Sequence, residues 1–193
     1  MGDRNQILFL QKFLPSVSGA ILEVGSKDYG STASFRDVYR NCPYVGIDMA
    51  AGKGVDEVVD LTAGIGTLKA GHFALVVCCS VLEHVAKPWL MAENISKLTA
   101  SGGVLFVSVP WVWRYHPYPD DFFRFSFRGV VALFPDFEWG TPYYSTNVEG
   151  EFIEISQENR QIDDRMAKSV SVGANVSRKY LPYLMVNMLG VRK

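Results

Sequence analysis

Cysteine is scarce in this sequence. Its three residues, Cys42, Cys78 and Cys79, form no CxxC pair and no ligand cluster with histidine. That excludes a disulfide framework and a cysteine-based metal finger, and no metal site is expected. It also points to a reducing, cytoplasmic setting. Cys78 and Cys79 stand inside an apolar run and are expected as buried strand residues. Long apolar runs are missing too: none approaches the roughly 20 residues that span a bilayer, so no membrane association is expected. The opening MGDRNQILFL carries acid and amide residues beside a short apolar patch and is not expected to act as a secretory signal. A net charge of −1 supplies no general attraction to nucleic acid or acidic lipid. Internal repeats and low-complexity segments are absent. At 193 residues the chain is expected to form one domain able to bury a sizeable core.

What is present alternates. Asn5 to Leu14 has helical apolar spacing and stops before Pro15. Ala20 to Val24 reads as a strand, Ser31 to Arg40 as a helix broken by Asn41-Cys42-Pro43, and Tyr44 to Ile47 as a strand ending at Asp48. Val55 to Val59 is a third short strand, and Ala63 to Ala70 a weak helix containing two glycines. Phe73 to Cys79 is continuously apolar, as expected of a strand covered on both faces. Val81 to Leu98 has the helical period, stopped by Ser101-Gly102-Gly103, and Val104 to Val109 is a buried strand closed by Pro110. Such alternation predicts a doubly wound, mostly parallel α/β sheet flanked by helices. Beyond Pro110, Ser126 to Phe134 reads as a helix, and Phe137 to Tyr144 and Glu151 to Ser156 as strands. Arg160 to Ser171 reads as loop or short helix, and Tyr183 to Val191 as a stretch that closes the sheet.

In such a sheet, ligands meet the carboxyl ends of the strands. The first strand ends in Glu23-Val24-Gly25-Ser26-Lys27-Asp28-Tyr29-Gly30, an acid, a glycine and a polar turn suited to a nucleotide-like group. The middle glycine of the dinucleotide fingerprint is missing, because Lys27 occupies it. That counts against a nicotinamide-dependent oxidoreductase. Asp48 follows about twenty residues later, and an ionised carboxylate there can accept both hydroxyls of a ribose. A strand-end acid that merely caps the next turn is the alternative.

With Ser80-Val81-Leu82-Glu83-His84-Val85 after the fourth strand, the chain resembles class I S-adenosylmethionine-dependent methyltransferases, in particular the type 11 group. That group has Glu-x-Gly in the first turn, an acid ending the second strand and a Ser-x-Leu-Glu-His-Val-like segment after the fourth. Here these are Glu23-Val24-Gly25, Gly46-Ile47-Asp48 and Ser80 to Val85, in that order, with Gly102-Gly103 before the fifth strand. The resemblance covers residues 18–134. It implies S-adenosylmethionine as cofactor, with Glu23, Gly25 and Ser26 at its methionine half. It also implies Asp48 on the ribose, Met49 against the adenine and Asp60 and Leu61 flanking it. Cys79 and Ser80 would face the methionine part, and His84 the mouth of the site. Lys27 departs from the family's small residues. It either points to solvent or reaches the cofactor carboxylate.

Residues 18–109 would thus form the cofactor half of a single domain, with acceptor-side segments over residues 110–180. The aromatic run from Trp111 to Phe125 contains His116, Pro119, Asp121 and Arg124, matching a His-x-x-Pro-x-Asp-x-x-Arg run in relatives of that group. Its position implies a substrate side made by Trp111, Tyr115, Asp121 and Arg124, with His116 as candidate catalytic base. A structural reading competes: Asp121 and Arg124 pair to pin the loop, and the aromatics are core. Methyl transfer needs in-line positioning above all. Positioning supplies roughly 7–11 kcal/mol of a barrier, against about 3–5 kcal/mol for a general base. No Asn-Pro-Pro-Tyr or Pro-Cys segment for nucleic-acid methylation is present. The expected partner is therefore a small-molecule acceptor with oxygen or nitrogen as its reacting atom, and the protein a monomer or homodimer. A catalytically inactive methyltransferase-like binding protein is the competing class.

Overall fold

The computed structural model describes residues 2–30, 34–156, 168–171, 177–180 and 183–193. Side-chain alternation along the central strands explains why they read as continuously apolar. In β4 (Phe73–Cys79), Leu75 and Val77 face one core, while Val76 and Cys78 face another. The first core is closed by Ile7, Phe9 and Leu10 of α1 (Gly2–Phe13) together with Phe35 and Tyr39. The second is closed by Met91, Ala92, Ile95 and Leu98 of α2 (Pro88–Leu98) and by Val130 of α3 (Phe127–Leu133). A sheet covered on both faces cannot use a period of two to separate wet from dry.

Strands β1 (Ala20–Val24), β2 (Tyr44–Asp48), β3 (Glu57–Val58), β4 and β5 (Thr99–Val112) are mutually parallel in the order β3-β2-β1-β4-β5. The chain then passes through β6 (Phe137–Trp139), β7 (Tyr143–Ser145) and β8 (Phe152–Glu154). Strands β9 (Lys168–Ser171) and β10 (Ser177–Tyr180) form a separate two-stranded ribbon. Finally β11 (Leu184–Arg192) lies antiparallel beside β5 and carries β6 and β7 on its other edge, with β8 beyond β7. Ser108, Asn187 and Ser145 tie β5, β11 and β7 together through two buried hydrogen bonds of 2.9 Å each.

The doubly wound parallel sheet is therefore present, with local differences. The expected helix at 31–40 is, over its described part, a pair of turns. Val38 N–H donates to the Phe35 carbonyl at 3.0 Å and Cys42 N–H to Tyr39 at 2.9 Å, which suffices to bury both rings. The weak helix at 63–70 is also turns, because Gly64 and Gly66 adopt φ of 153° and 59°. Val81–Leu98 is split: a 3-10 turn at Leu82–His84 ends before Pro88, which opens α2 and forces Lys87 out of helical geometry (φ −128°, ψ 65°). Phe137–Tyr144 is likewise two strands, and β5 runs past Pro110 to Val112. Residues 160–167 lie outside the described residues, whereas Lys168–Ser171 is strand.

Candidate active site

Strand order reverses between β1 and β4, the switch point at whose carboxyl edge open α/β sheets take their ligands. The β1 turn closes against the β4 turn. Gly25 adopts φ +74°, and a Cβ built there would lie 2.3 Å from Val81 Cγ2. On the far wall Ser80 holds φ +53°, uncommon for a residue with a side chain. Its N–H donates to the Ser108 carbonyl at 2.8 Å, and its Oγ accepts from Gln6 Nε2 at 3.0 Å. Gln6 has no counterpart in the sequence reading. The available signal was a polar side chain in the apolar stripe Gln6, Phe9, Leu10, Phe13.

The first turn's polar residues divide into those available to a ligand and those already engaged. Asp48 is half-buried at the end of β2. Its Oδ1 accepts from Ala50 N–H at 3.0 Å, and no protein donor takes its other oxygen among the described residues. Glu23 is engaged. Tyr44 Oη donates to its Oε2 at 2.7 Å, and burial raises its carboxyl above the usual range despite that bond. Its carboxylate thus braces β1 against β2. Ser26 is buried in the space left by Gly46, and its Oγ has no hydrogen-bond partner. Met49 is 67% exposed beside Asp48. Asp60 is exposed and accepts from Thr62 N–H and Oγ1 at 2.8 and 2.7 Å. The Leu61 side chain is buried in the core, so only its backbone is available to flank a ligand, and its carbonyl accepts from Asn94 at 2.8 Å.

Lys27 lies along the outer side of the first turn. Its methylenes lie over Gly52, and its ammonium stands 5.4 Å from the Tyr29 ring centroid. Lys27→Ala should therefore leave adenosyl-ligand affinity within about 3-fold, since an exposed cation–π contact contributes only about 0.5–1 kcal/mol. Isothermal titration checks this, and a larger loss would mean that the ammonium reaches the ligand.

The aromatic segment folds over the same edge. Tyr118 touches Tyr29 (ring centroids 5.7 Å) and His84 (6.3 Å), and His84 touches His116 (4.9 Å). Asp121 and Arg124, expected on the substrate side, form a bidentate pair at 2.5 and 2.8 Å, as the competing structural reading has it. The guanidinium also donates to the carbonyls of Trp113, Arg114 and Phe123, which uses its whole fork. Hydrogen bonding from Arg124 holds the Asp121 carboxyl well below the usual range. Asp121 also receives the His116 N–H at 2.8 Å. Phe122 and Phe123 N–H groups donate to the Glu83 carbonyl at 2.7 and 3.2 Å, fastening the loop to the β4 turn. Burial pulls His116 below its ordinary value. Trp111 and Tyr115 are exposed and lie outside these ring contacts, whereas Trp113 stacks edge-on against Tyr183 at 4.4 Å.

Glu83 sits at the centre of this arrangement. Its carboxylate is fully buried, neither oxygen has a hydrogen-bond partner, and burial pushes its carboxyl up to about 8. The Ser80–Val85 motif contains Glu83, but the family resemblance implies no role for it. No disulfide joins the three cysteines; Cys78 is buried in β4 and Cys79 half-buried at its end.

No protein-family model matches the chain, and no curated protein does. Solved structures do. A SAM-dependent methyltransferase from Thermotoga maritima matches at 14% identity and TM-score 0.60, over 98% of this chain and 88% of that one. The 1,6-didemethyltoxoflavin-N1-methyltransferase of Burkholderia thailandensis, with bound 1,6-didemethyltoxoflavin and S-adenosylhomocysteine, matches at 11% and TM-score 0.60, over 100% and 78%. The YcgJ protein from Bacillus subtilis matches at 10% and TM-score 0.62, over 98% of each chain. Among the described residues no helix is long and apolar enough to cross a membrane. The chain carries the Rossmann-like methyltransferase fold, with its motif-bearing turns gathered at the carboxyl edge of the sheet.

Proposed function

We propose that the protein is an S-adenosylmethionine-dependent methyltransferase of the type 11 kind acting on oxygen or nitrogen of a small molecule. The observation that carries this reading is the meeting of the β1 and β4 turns at the switch point of the sheet, with Asp48 at the end of the neighbouring β2. The residues fit the cofactor: a left-handed glycine opens the first turn, and Asp48 has an oxygen to spare for ribose hydroxyls. Bound there, S-adenosylmethionine supplies an electrophilic methyl group. The chain's residues hold the reactants in line, which is the larger part of such catalysis. Tyr29 and Tyr118 form the lip, and the Asp121–Arg124 pair holds the acceptor-side loop. His116 is placed to take an acceptor proton at Nε2, because its Nδ1 is held by the Arg114 carbonyl at 3.0 Å. Neighbouring folds with bound S-adenosylhomocysteine support the cofactor assignment.

Thermal-shift and calorimetric titration should show binding of S-adenosylhomocysteine and none of NAD. Asp48→Asn swaps an acceptor for a donor, and losing one charge-assisted bond of about 1.5–3 kcal/mol should weaken that binding roughly 10–150-fold. Equal affinity for NAD, or an unchanged Asp48→Asn, would sink the reading. Transfer of labelled methyl to a metabolite panel then separates an enzyme from an inactive relative.

A further inference from the structure

We propose that Glu83, His84 and His116 form a binding site for one divalent transition-metal ion of the zinc type. The atoms converge. Glu83 Oε1 lies 3.8 Å from His84 Nε2 and 3.9 Å from His116 Nε2, and the three lie within 4.8 Å of one another. A tetrahedral zinc ion with bonds of about 2.0–2.1 Å sets neighbouring ligand atoms about 3.3–3.4 Å apart, so a contraction of some tenths of an ångström brings the two Glu83 edges to that spacing.

Three features aim these groups at an ion. His84 Nδ1 stands 2.6 Å from the Asp120 carbonyl and His116 Nδ1 3.0 Å from that of Arg114. A carbonyl only accepts, so each Nδ1 carries the proton and each Nε2 presents its lone pair to the centre. Holding the distal nitrogen in this way is how metal-ligating histidines are oriented. Second, Glu83 is fully buried with neither oxygen hydrogen-bonded, so its oxygens are open to a cation, which would stabilise the ionised carboxylate there. Third, Arg124 cannot supply it, because its fork is spent on Asp121 and three carbonyls. Two imidazoles and one carboxylate form a borderline donor set that suits zinc, iron(II), cobalt or nickel over magnesium. Three protein ligands leave a position open, and the histidine side chains remain 12% and 19% exposed, so an outside ligand can enter. With the ion bound, His116 serves as a ligand and not as a proton acceptor, and an oxygen donor in the open position is made more acidic.

Ion binding is read directly, so this inference does not depend on the methyl-transfer reading. The full chain, stripped with chelator, should take up one Zn²⁺ by calorimetry, and Co²⁺ should give d–d absorption of a four- or five-coordinate nitrogen and oxygen site. Mg²⁺ should give neither. His84→Gln, His116→Gln and Glu83→Gln should each weaken Zn²⁺ binding by about 100-fold or more, beyond what altering an outer-shell partner costs. The exposed third histidine supplies the control: His72→Gln should bind as the parent does. Circular dichroism and thermal unfolding report whether each variant is folded. Absence of a bound Zn²⁺, or binding that survives His84→Gln and His116→Gln in folded protein, overturns the proposal. A thiolate signature in the Co²⁺ spectrum, placing the ion on the cysteines, does the same.

Discussion

Arg124→Ala should destabilise the protein by about 3–5 kcal/mol, the usual loss when one partner of a buried pair is removed. The Asp121 side chain is 1% exposed and Arg124's 26%, so truncation leaves a carboxylate desolvated and uncompensated. It also strips the donors from the carbonyls of Trp113 and Phe123, which no helix or strand otherwise satisfies, and one of two donors from that of Arg114. For a chain of this size the loss lowers Tm by roughly 6–20 °C. Arg124→Lys should recover only part of it, because a single ammonium cannot reproduce the planar fork. On the proposed reading, methyl transfer should fall with stability in Arg124→Ala, since the loop that carries His116 is fastened through the same pair. Thermal and urea unfolding of the three proteins checks this. A Tm within about 2 °C of the parent for Arg124→Ala would show that the pair is not the pin.

Gly25→Ala should be nearly as damaging, for a different reason. The left-handed backbone costs a side-chain-bearing residue about 1–2 kcal/mol. Overlap with Val81 Cγ2 adds roughly 1–3 kcal/mol of the kind that overpacking produces. The sum is about 2–5 kcal/mol, and S-adenosylhomocysteine affinity should fall with it as the two turns are forced apart. Only the second contribution is steric between side chains. The double variant Gly25→Ala with Val81→Ala should therefore be more stable than the two single losses predict, by a coupling of about 1–3 kcal/mol. Urea midpoints of the four proteins measure it. A zero coupling would mean that the turns do not meet as described.

Much of this was legible in the chain. β1 and β4 match their predicted limits residue for residue, and β2 extends its prediction by Asp48 alone. Continuous apolar runs bounded by polar turns identify buried parallel strands, and the acids and glycines at their ends identify the edge that ligands use. Helices were less secure. The segment at 34–40 buries Phe35 and Tyr39 through turns, which the same spacing of apolar residues satisfies without a helix. Within Val81–Leu98, Pro88 outweighed the apolar period and started a new helix.

The sequence by itself determined the parallel sheet and the carboxyl edge at which its motif-bearing turns gather, because both depend on strand ends that the topology must align; for Asp121 and Arg124 it left an ion pair and a substrate-side role side by side. Tertiary structure alone decided which polar groups are spent and which are left over. Glu23 is taken by Tyr44 and Ser80 by Gln6, and Lys27 lies along Gly52. Glu83 and His84 meet His116, thirty-two positions further on, only because the loop after β5 folds back and bonds to the Glu83 carbonyl. Such convergence depends on chain reversal and burial, and a linear reading of residue types carries neither.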